Sequence, residues 1–185
     1  KHFVSKEAFN IDGLGKKIIE NFWKLKLIRL PQDIFRLDYN RIVNLEGWGK
    51  LSVENLKYSI NEKKNISLER FIYSLGIRHI GLENAKILSN FFKTFSNFKE
   101  LSNNNNYNDL LNVDKIGETQ VSSIKSFFSN KINNKVVSEL GKELSIKNAL
   151  IEKKNGLLKN HTFMITGKLN GISRAEVKSL IEENS

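Results

Sequence analysis

Two short stretches of the sequence set a glycine, an apolar residue, a second glycine and a lysine in succession: Gly13-Leu14-Gly15-Lys16 and Gly47-Trp48-Gly49-Lys50. Each runs directly into a segment whose apolar residues recur three and four apart, as on an amphipathic helix. Glycine tolerates a positive φ and lets a foreign backbone come close. The amides that open the next helix, aided by its dipole, form an anion site. Lys16 and Lys50 would place an ammonium beside the same anion, and the natural ligand for the set is a phosphate oxygen. The middle residue, Leu14 or Trp48, is expected to point inward and pin the bend. Such contacts touch sugar and phosphate and leave base edges unread, so they imply sequence-independent binding.

Two more segments align on the second glycine: LGIRHIGLENAKIL with Gly81 and VDKIGETQVSSI with Gly117. With Gly15 and Gly49 they recur at intervals of roughly 34 residues, the mark of a repeated supersecondary unit. The third bend carries Arg78 and His79. No acid or nucleophile is suggested beside His79, so a hydrogen-bonding or packing role in the hairpin is expected rather than proton transfer. In the fourth, Lys115 stands where the first two bends have glycine, and the spacing leaves open whether it adds a phosphate contact or marks a degraded hairpin. A competing reading makes the glycines helix C-caps and the lysines an ordinary solvated face. Repetition with basic residues nearby argues against it. The tetratricopeptide array shares the period, but its Trp, Leu-Gly, Tyr, Ala and Pro offsets are missing.

The elements that must hold these bends are helices, since the chain has a single proline and dominant helical spacing. The spacing predicts helices over Lys16 to Lys24, Lys50 to Asn61, Leu82 to Phe92 and Glu118 to Phe128, each preceded by an apolar helical segment. Pro31 suits the first position of a helix, Ser67 suits an N-cap before LERFIYSL, and the run Asn103 to Asn106 reads as an exposed loop. A basic, helix-compatible stretch spans Asn130 to Asn155, its end polar and linker-like. Beyond it, His161 to Thr166 alternates like a strand, and Arg174 to Glu183 reads as a helix capped by Ser173. With no second strand to pair with, the last roughly 25 residues are expected to be loosely held.

The 185 residues are 39% hydrophobic, enough for a real core, and carry 30 Lys and Arg against 20 acidic residues, a net charge of +10. That balance favours polyanionic partners. Without cysteine, disulfides, thiolate zinc sites and cysteine nucleophiles are excluded. His2, His79 and His161 are too scattered for metal-ligand spacing. No apolar run nears the roughly 20 residues of a membrane span, so a soluble protein with no membrane partner is expected. The opening Lys1, with Met164 as the sole methionine, predicts a piece of a longer protein.

Taken in order, KHFVSKEAFNIDGLGKKII, LEGWGKLSVENL, SLGIRHIGLENAKIL and TFMITGKL followed by GISRAEVKSLIE resemble the NAD-dependent DNA ligases, over essentially the whole chain. The resemblance implies a mainly α fold of four tandem helix-hairpin-helix motifs over 1–147, a linker over 148–156, and over 157–185 the truncated β-α start of a BRCT-like α/β domain. It implies that Gly13, Gly15, Lys16, Gly47, Gly49, Lys50, Arg78, His79, Gly81, Lys115 and Gly117 fall on hairpins gripping nicked double-stranded DNA, and that the turn Thr166, Gly167, Lys168 could meet a phosphate. The parent enzyme would seal nicks in replication and repair in the cytoplasm, using NAD and magnesium, with zinc in a preceding domain; a monomer is expected. The family's adenylation motif is K-x-D-G, whose lysine takes AMP as a phosphoramidate. Here Asn10 stands in the lysine's place before Ile11-Asp12-Gly13, so this part is expected to be inactive alone, to bind no cofactor and to hold no catalytic residue. The other reading is a stand-alone helix-hairpin-helix or scaffold module of another repair protein. Under either, Gly49→Asp should weaken duplex binding more than Lys125→Ala, by straining the bend and repelling phosphate.

Overall fold

The computed structural model describes residues 1–104, 107–149, 157–158, 161–167 and 171–184. A 3-10 turn at His2–Val4 precedes the first bend, and α1 (Lys16–Lys24) follows it. Phe22 is buried on α1 with Ile18 and Ile19 half-buried a turn earlier, the stripe that three- and four-residue spacing makes. The Asp33 carboxylate then accepts the amides of Arg29 and Leu30 at 2.8 Å each, and Pro31 opens a 3-10 turn over Pro31–Arg36, at the position where its missing N–H costs nothing. The short α2 (Tyr39–Ile42) is capped by Asp38, which accepts from the amides of Asn40 and Arg41. After the second bend comes α3 (Lys50–Glu62), burying Val53, Leu56 and Ile60.

A three-residue strand, β1 (Asn65–Ser67), leads into α4 (Leu68–Ser74), the third bend and α5 (Leu82–Phe92). Next are α6 (Phe95–Asn104), a 3-10 turn at Asn108–Asn112, the fourth bend, α7 (Glu118–Ser129), α8 (Lys131–Glu143) and β2 (Ser145–Lys147). The second helices of all four units thus stand where the spacing predicts them. The segments leading into the bends differ: the third has a two-turn α-helix in α4, while the first and fourth have only 3-10 turns. The asparagine run is likewise divided, Asn103 and Asn104 ending α6 and the next two lying outside the described residues.

β1 and β2 pair in parallel with Ile66 opposite Ile146, a contact the sequence spacing did not anticipate because three residues are too few to show alternation. Their pairing binds the centre of the chain to the end of the helical region. Ser67 occupies the N-cap position of α4 as expected, yet its side chain makes no capping bond and its Oγ is buried without a partner. It is also the last residue of β1, where the strand sets its direction.

The core is continuous and rich in phenylalanine. Phe3 stacks on Phe9 at 4.3 Å between ring centroids, and Phe71, Phe92, Phe98 and Phe128 meet edge to face. Gly141 lets α8 pass close to α6, since a Cβ there would come within 2.5 Å of the Phe95 ring. Arg36 binds Glu139 and Glu143 at 2.8 and 2.7 Å, holding the Pro31–Arg36 turn against α8.

Towards the C-terminus, residues 161–166 form no regular element, with Phe163 and Met164 exposed, so the strand expected over His161 to Thr166 is not present there. No described strand lies beside them to receive their ladder bonds. The helix α9 (Arg174–Glu183) does form, with Ser173 Oγ accepting from the Glu176 amide at 3.2 Å and the Glu176 carboxylate accepting from the Ser173 amide at 2.7 Å, a reciprocal capping box. Glu176 also binds Lys63 at 2.8 Å and Arg70 at 3.1 Å, and Ser179 donates to Glu69 at 2.9 Å. Through these contacts the cap carboxylate of α9 meets cations on the helical body, whereas residues 161–166 form no regular element. Most of the expected linker, residues 150–156, lies outside the described residues. Among the described residues no helix is long and apolar enough to cross a membrane.

Candidate nucleic-acid interface

The four bends share one construction. In each, the amide of the middle apolar residue donates to the carbonyl three residues earlier: Leu14 to Ile11 at 3.3 Å, Trp48 to Leu45 at 3.0 Å, Ile80 to Ile77 at 3.1 Å and Ile116 to Val113 at 3.0 Å. The residue just before the middle one has positive φ, as type II turns require at their third position: Gly13 at 84°, Gly47 at 78°, His79 at 61° and Lys115 at 66°. Leu14, Ile80 and Ile116 are buried, and half-buried Trp48 leans on Phe22 at 5.5 Å between ring centroids, so the middle residue pins the bend to the body as expected. Lys115 replaces glycine without degrading the fourth turn.

The second glycine of each bend, Gly15, Gly49, Gly81 or Gly117, is the N-cap of its helix, exposed, and extended in backbone. Nothing in its conformation demands glycine. Nor does packing: a Cβ at Gly15, Gly49 or Gly81 would meet nothing within 4 Å, and at Gly117 only the Gln120 side chain at 3.5 Å. Ser, Asp or Asn would serve better as caps, by a few tenths of a kcal/mol. Neither conformation nor packing within the fold accounts for glycine at these four helix starts. The strain expected for Gly49→Asp is therefore absent, since φ at Gly49 is −118°.

The amides of residues 16–18, 50–52, 82–84 and 118–120 are the first-turn donors that a helix leaves without internal partners. None donates to a backbone carbonyl among the described residues. Two cap amides are taken internally: Gly49 donates to Ser52 Oγ at 2.9 Å and Gly117 to Gln120 Oε1 at 3.1 Å. The positions of Ser52 and Gln120, three residues past the cap, are those of a capping box and were available as a signal in the sequence.

Charge is distributed unevenly. Exposed Lys16 and Lys17 follow the first bend and Lys50 the second, exposed Arg78 and His79 lie on the third, and on the fourth Lys115 is flanked by Asp114 and Glu118. A cleft of about 410 Å³ beside the first bend is bordered by Lys1, Lys6 and Lys16. The larger cleft, about 920 Å³, lies between α9 and the helical body and reaches Asp12 and Leu82, next to the first and third bends. Spacing gave no hint that Leu51 and Leu82, at the starts of α3 and α5, would be exposed.

The helix-hairpin-helix motif family matches residues 70–137, which run from α4 through the third and fourth bends into α8. A DNA ligase of Pelagibacter ubique (strain HTCC1062) is 70% identical over 185 residues, all of this chain and 27% of that protein. One from Rickettsia canadensis (strain McKiel) is 40% identical over 99% of this chain and 28% of its own length, and one from Wolbachia pipientis 41% identical over 96% and 28%. Over its full length the chain is homologous to part of a DNA ligase. It spans little more than a quarter of the ligases it matches.

Set against the ligase resemblance, Gly13, Gly15, Lys16, Gly47, Gly49, Lys50, Arg78, His79, Gly81, Lys115 and Gly117 all stand on the four exposed bends or the first residue of the helix beyond. Thr166 and Gly167 are exposed, Gly167 with φ 81°, and Lys168 lies outside the described residues. His79 Nδ1 meets Ser123 Oγ at 3.0 Å, a partner that spacing did not suggest. No group of three His, Asp or Glu side chains gathers around a possible ion among the described residues. Asp12 and Gly13 belong to the first turn, with Asn10 where an adenylated lysine would have to be.

Proposed function

We propose that this chain binds the backbone of double-stranded DNA without reading sequence, as the non-catalytic part of an NAD-dependent DNA ligase that seals nicks in replication and repair. The observation that carries the reading is the row of four N-cap glycines in open space at outward-facing helix starts. All four bends are taken as helix-hairpin-helix motifs, including those before residue 70. A phosphate oxygen accepts first-turn amides, the absent Cβ lets it approach, and Lys16, Lys50, Arg78 or Lys115 supplies the opposite charge. Exposed Leu51 and Leu82 lie against sugar.

The parent enzyme would be a cytoplasmic monomer. NAD, magnesium and zinc would be held by its other regions, and residues 157–185 would open a BRCT-like domain. What these residues do is bind and orient: they hold the nicked duplex while chemistry proceeds elsewhere.

The test is a fluorescence-anisotropy titration of the chain against nicked and intact duplexes of unrelated sequence across a salt series. Affinity is expected to be the same for every sequence, and log K to fall against log salt with a slope of about −3 to −4, for four neutralised phosphates at roughly −0.9 each. A flat salt dependence, or a preference for one sequence, would overturn the reading.

A further inference from the structure

Among the described side chains of the four bends, only that of His79 is hydrogen-bonded to another unit. Its Nδ1 lies 3.0 Å from the Oγ of Ser123 on α7, the helix that starts at the fourth bend. The Ser123 hydroxyl has one proton and also lies 2.9 Å from the Thr119 carbonyl in the first turn of α7. With the hydroxyl proton on the Thr119 carbonyl, the Nδ1–H tautomer of the imidazole donates to Ser123; with the other tautomer the hydroxyl donates to Nδ1, and either way the bond joins the two units. On the other side, Asn84 in the first turn of α5 donates its Nδ2–H to the His79 carbonyl at 3.1 Å. His79 is gripped at both ends, its carbonyl by α5 and its ring by α7.

The backbone of His79 is left-handed, with φ 61°, a conformation that costs free energy in any residue but glycine. Gly13 and Gly47 make the same turn position without that cost. The turn thus has no need of an imidazole, and the bond to the neighbouring unit is what the ring adds. We infer that His79 is a positioning residue: its bond to Ser123 couples the third bend to the fourth, so that the starts of α5 and α7 meet one DNA backbone as a unit. This rests on the backbone-binding reading of the bends. Ser123 stands on the second turn of α7, half-buried and off the bend, so its hydroxyl acts on binding through His79.

The experiment is a double-mutant cycle in the full chain, with His79→Gly, which keeps the turn and removes the ring, and Ser123→Ala, which leaves the bend untouched. Nicked-duplex affinity and its salt dependence are read by anisotropy, and folding by urea titration. Each single variant is expected to lose roughly three- to tenfold in affinity, the span of one hydrogen bond. The double variant should lose no more than the weaker single, and the salt slope should shrink by about 0.9, one phosphate. A merely structural bond would lower the urea midpoint and leave affinity and slope in place, which overturns the proposal. So would Ser123→Ala binding like the unmutated chain while His79→Gly does not, since the ring would then touch DNA itself, and so would additive losses. Failure of the unmutated chain to bind duplex at low salt would sink the backbone-binding reading and this inference with it, and would be seen before any variant is made.

Discussion

The first two bends and the last two make the same turn by different means. Gly13 and Gly47 reach positive φ freely, whereas His79 and Lys115 reach it at a cost of about 1–2 kcal/mol each for an ordinary L-residue. Coupling differs as well. Trp48 of the second bend packs on Phe22 of α1, an apolar contact, while His79 of the third bend hydrogen-bonds Ser123 of α7. The first pair places a lysine just past the cap glycine, at Lys16 and Lys50, where the second pair has Leu82 and Glu118 and carries its positive charge on the turn itself. One backbone geometry thus admits two distributions of cost and charge. Where glycine is replaced, the new side chain adds a group the turn itself does not need: an imidazole bonded to Ser123 at His79 and an exposed ammonium at Lys115.

The sharpest break of this comparison is expected from Gly49→Asp. Aspartate is a good N-cap, the position is extended, and the space is open, so urea titration should find stability unchanged or raised. Duplex affinity should nevertheless fall by about tenfold or more, roughly 1.4 kcal/mol, because the carboxylate fills the approach and repels phosphate. Lys125→Ala, on an exposed part of α7 away from the bend, should cost about twofold. Equal losses in the two variants would contradict the role given to the bends.

Next in size is Gly47→Ala. Nothing lies within 4 Å of the added methyl, so the loss of about 1–2 kcal/mol expected in urea is conformational alone. The reverse change, Lys115→Gly, should leave stability within about 1 kcal/mol, since relief of the turn is offset by a freer unfolded chain. Its salt slope should be smaller by about 0.9. A strongly destabilised Lys115→Gly would mean that the fourth bend is held by its side chain and differs from the others in kind.

The smallest effect concerns α9, whose Glu176 reaches Asn10 before the first bend, Lys63 after α3 and Arg70 before the third. Burial disfavours its charge, but hydrogen bonds from Lys63 and the Ser173 amide and the charge of Arg70 prevail, holding its pKa at about 2 against the ordinary 4.5. A carboxylate lowered on folding contributes stability that is present above its unfolded pKa and lost as pH falls through the folded one. The urea midpoint of Glu176→Gln should therefore lie below that of the unmutated chain at neutral pH, and the gap should close between about 4.5 and about 2. A gap independent of pH would show that the ion cluster does not anchor α9.

Much of this molecule was legible before its fold was known. The helix after each bend, the inward middle residue, the Ser173 cap and Pro31 at the head of its turn all follow from residues within three or four positions of one another. The Lys115 hairpin was left undecided, because sequence shows that glycine is missing but not whether neighbouring packing holds a lysine in its conformation. The strand expected over His161 to Thr166 failed for the complementary reason: alternation describes one strand, and a strand exists only beside another.

The amino-acid sequence by itself determined four tight bends, the helices that follow them and a surplus of positive charge, since turn conformation, capping and composition are local properties. Only the tertiary structure decided that Ile66 pairs with Ile146, that Gly141 admits the Phe95 ring, that His79 bonds Ser123 and that Glu176 closes on Lys63 and Arg70. Those partners lie far apart along the chain, and which of many compatible side chains meet is set by how the helices pack.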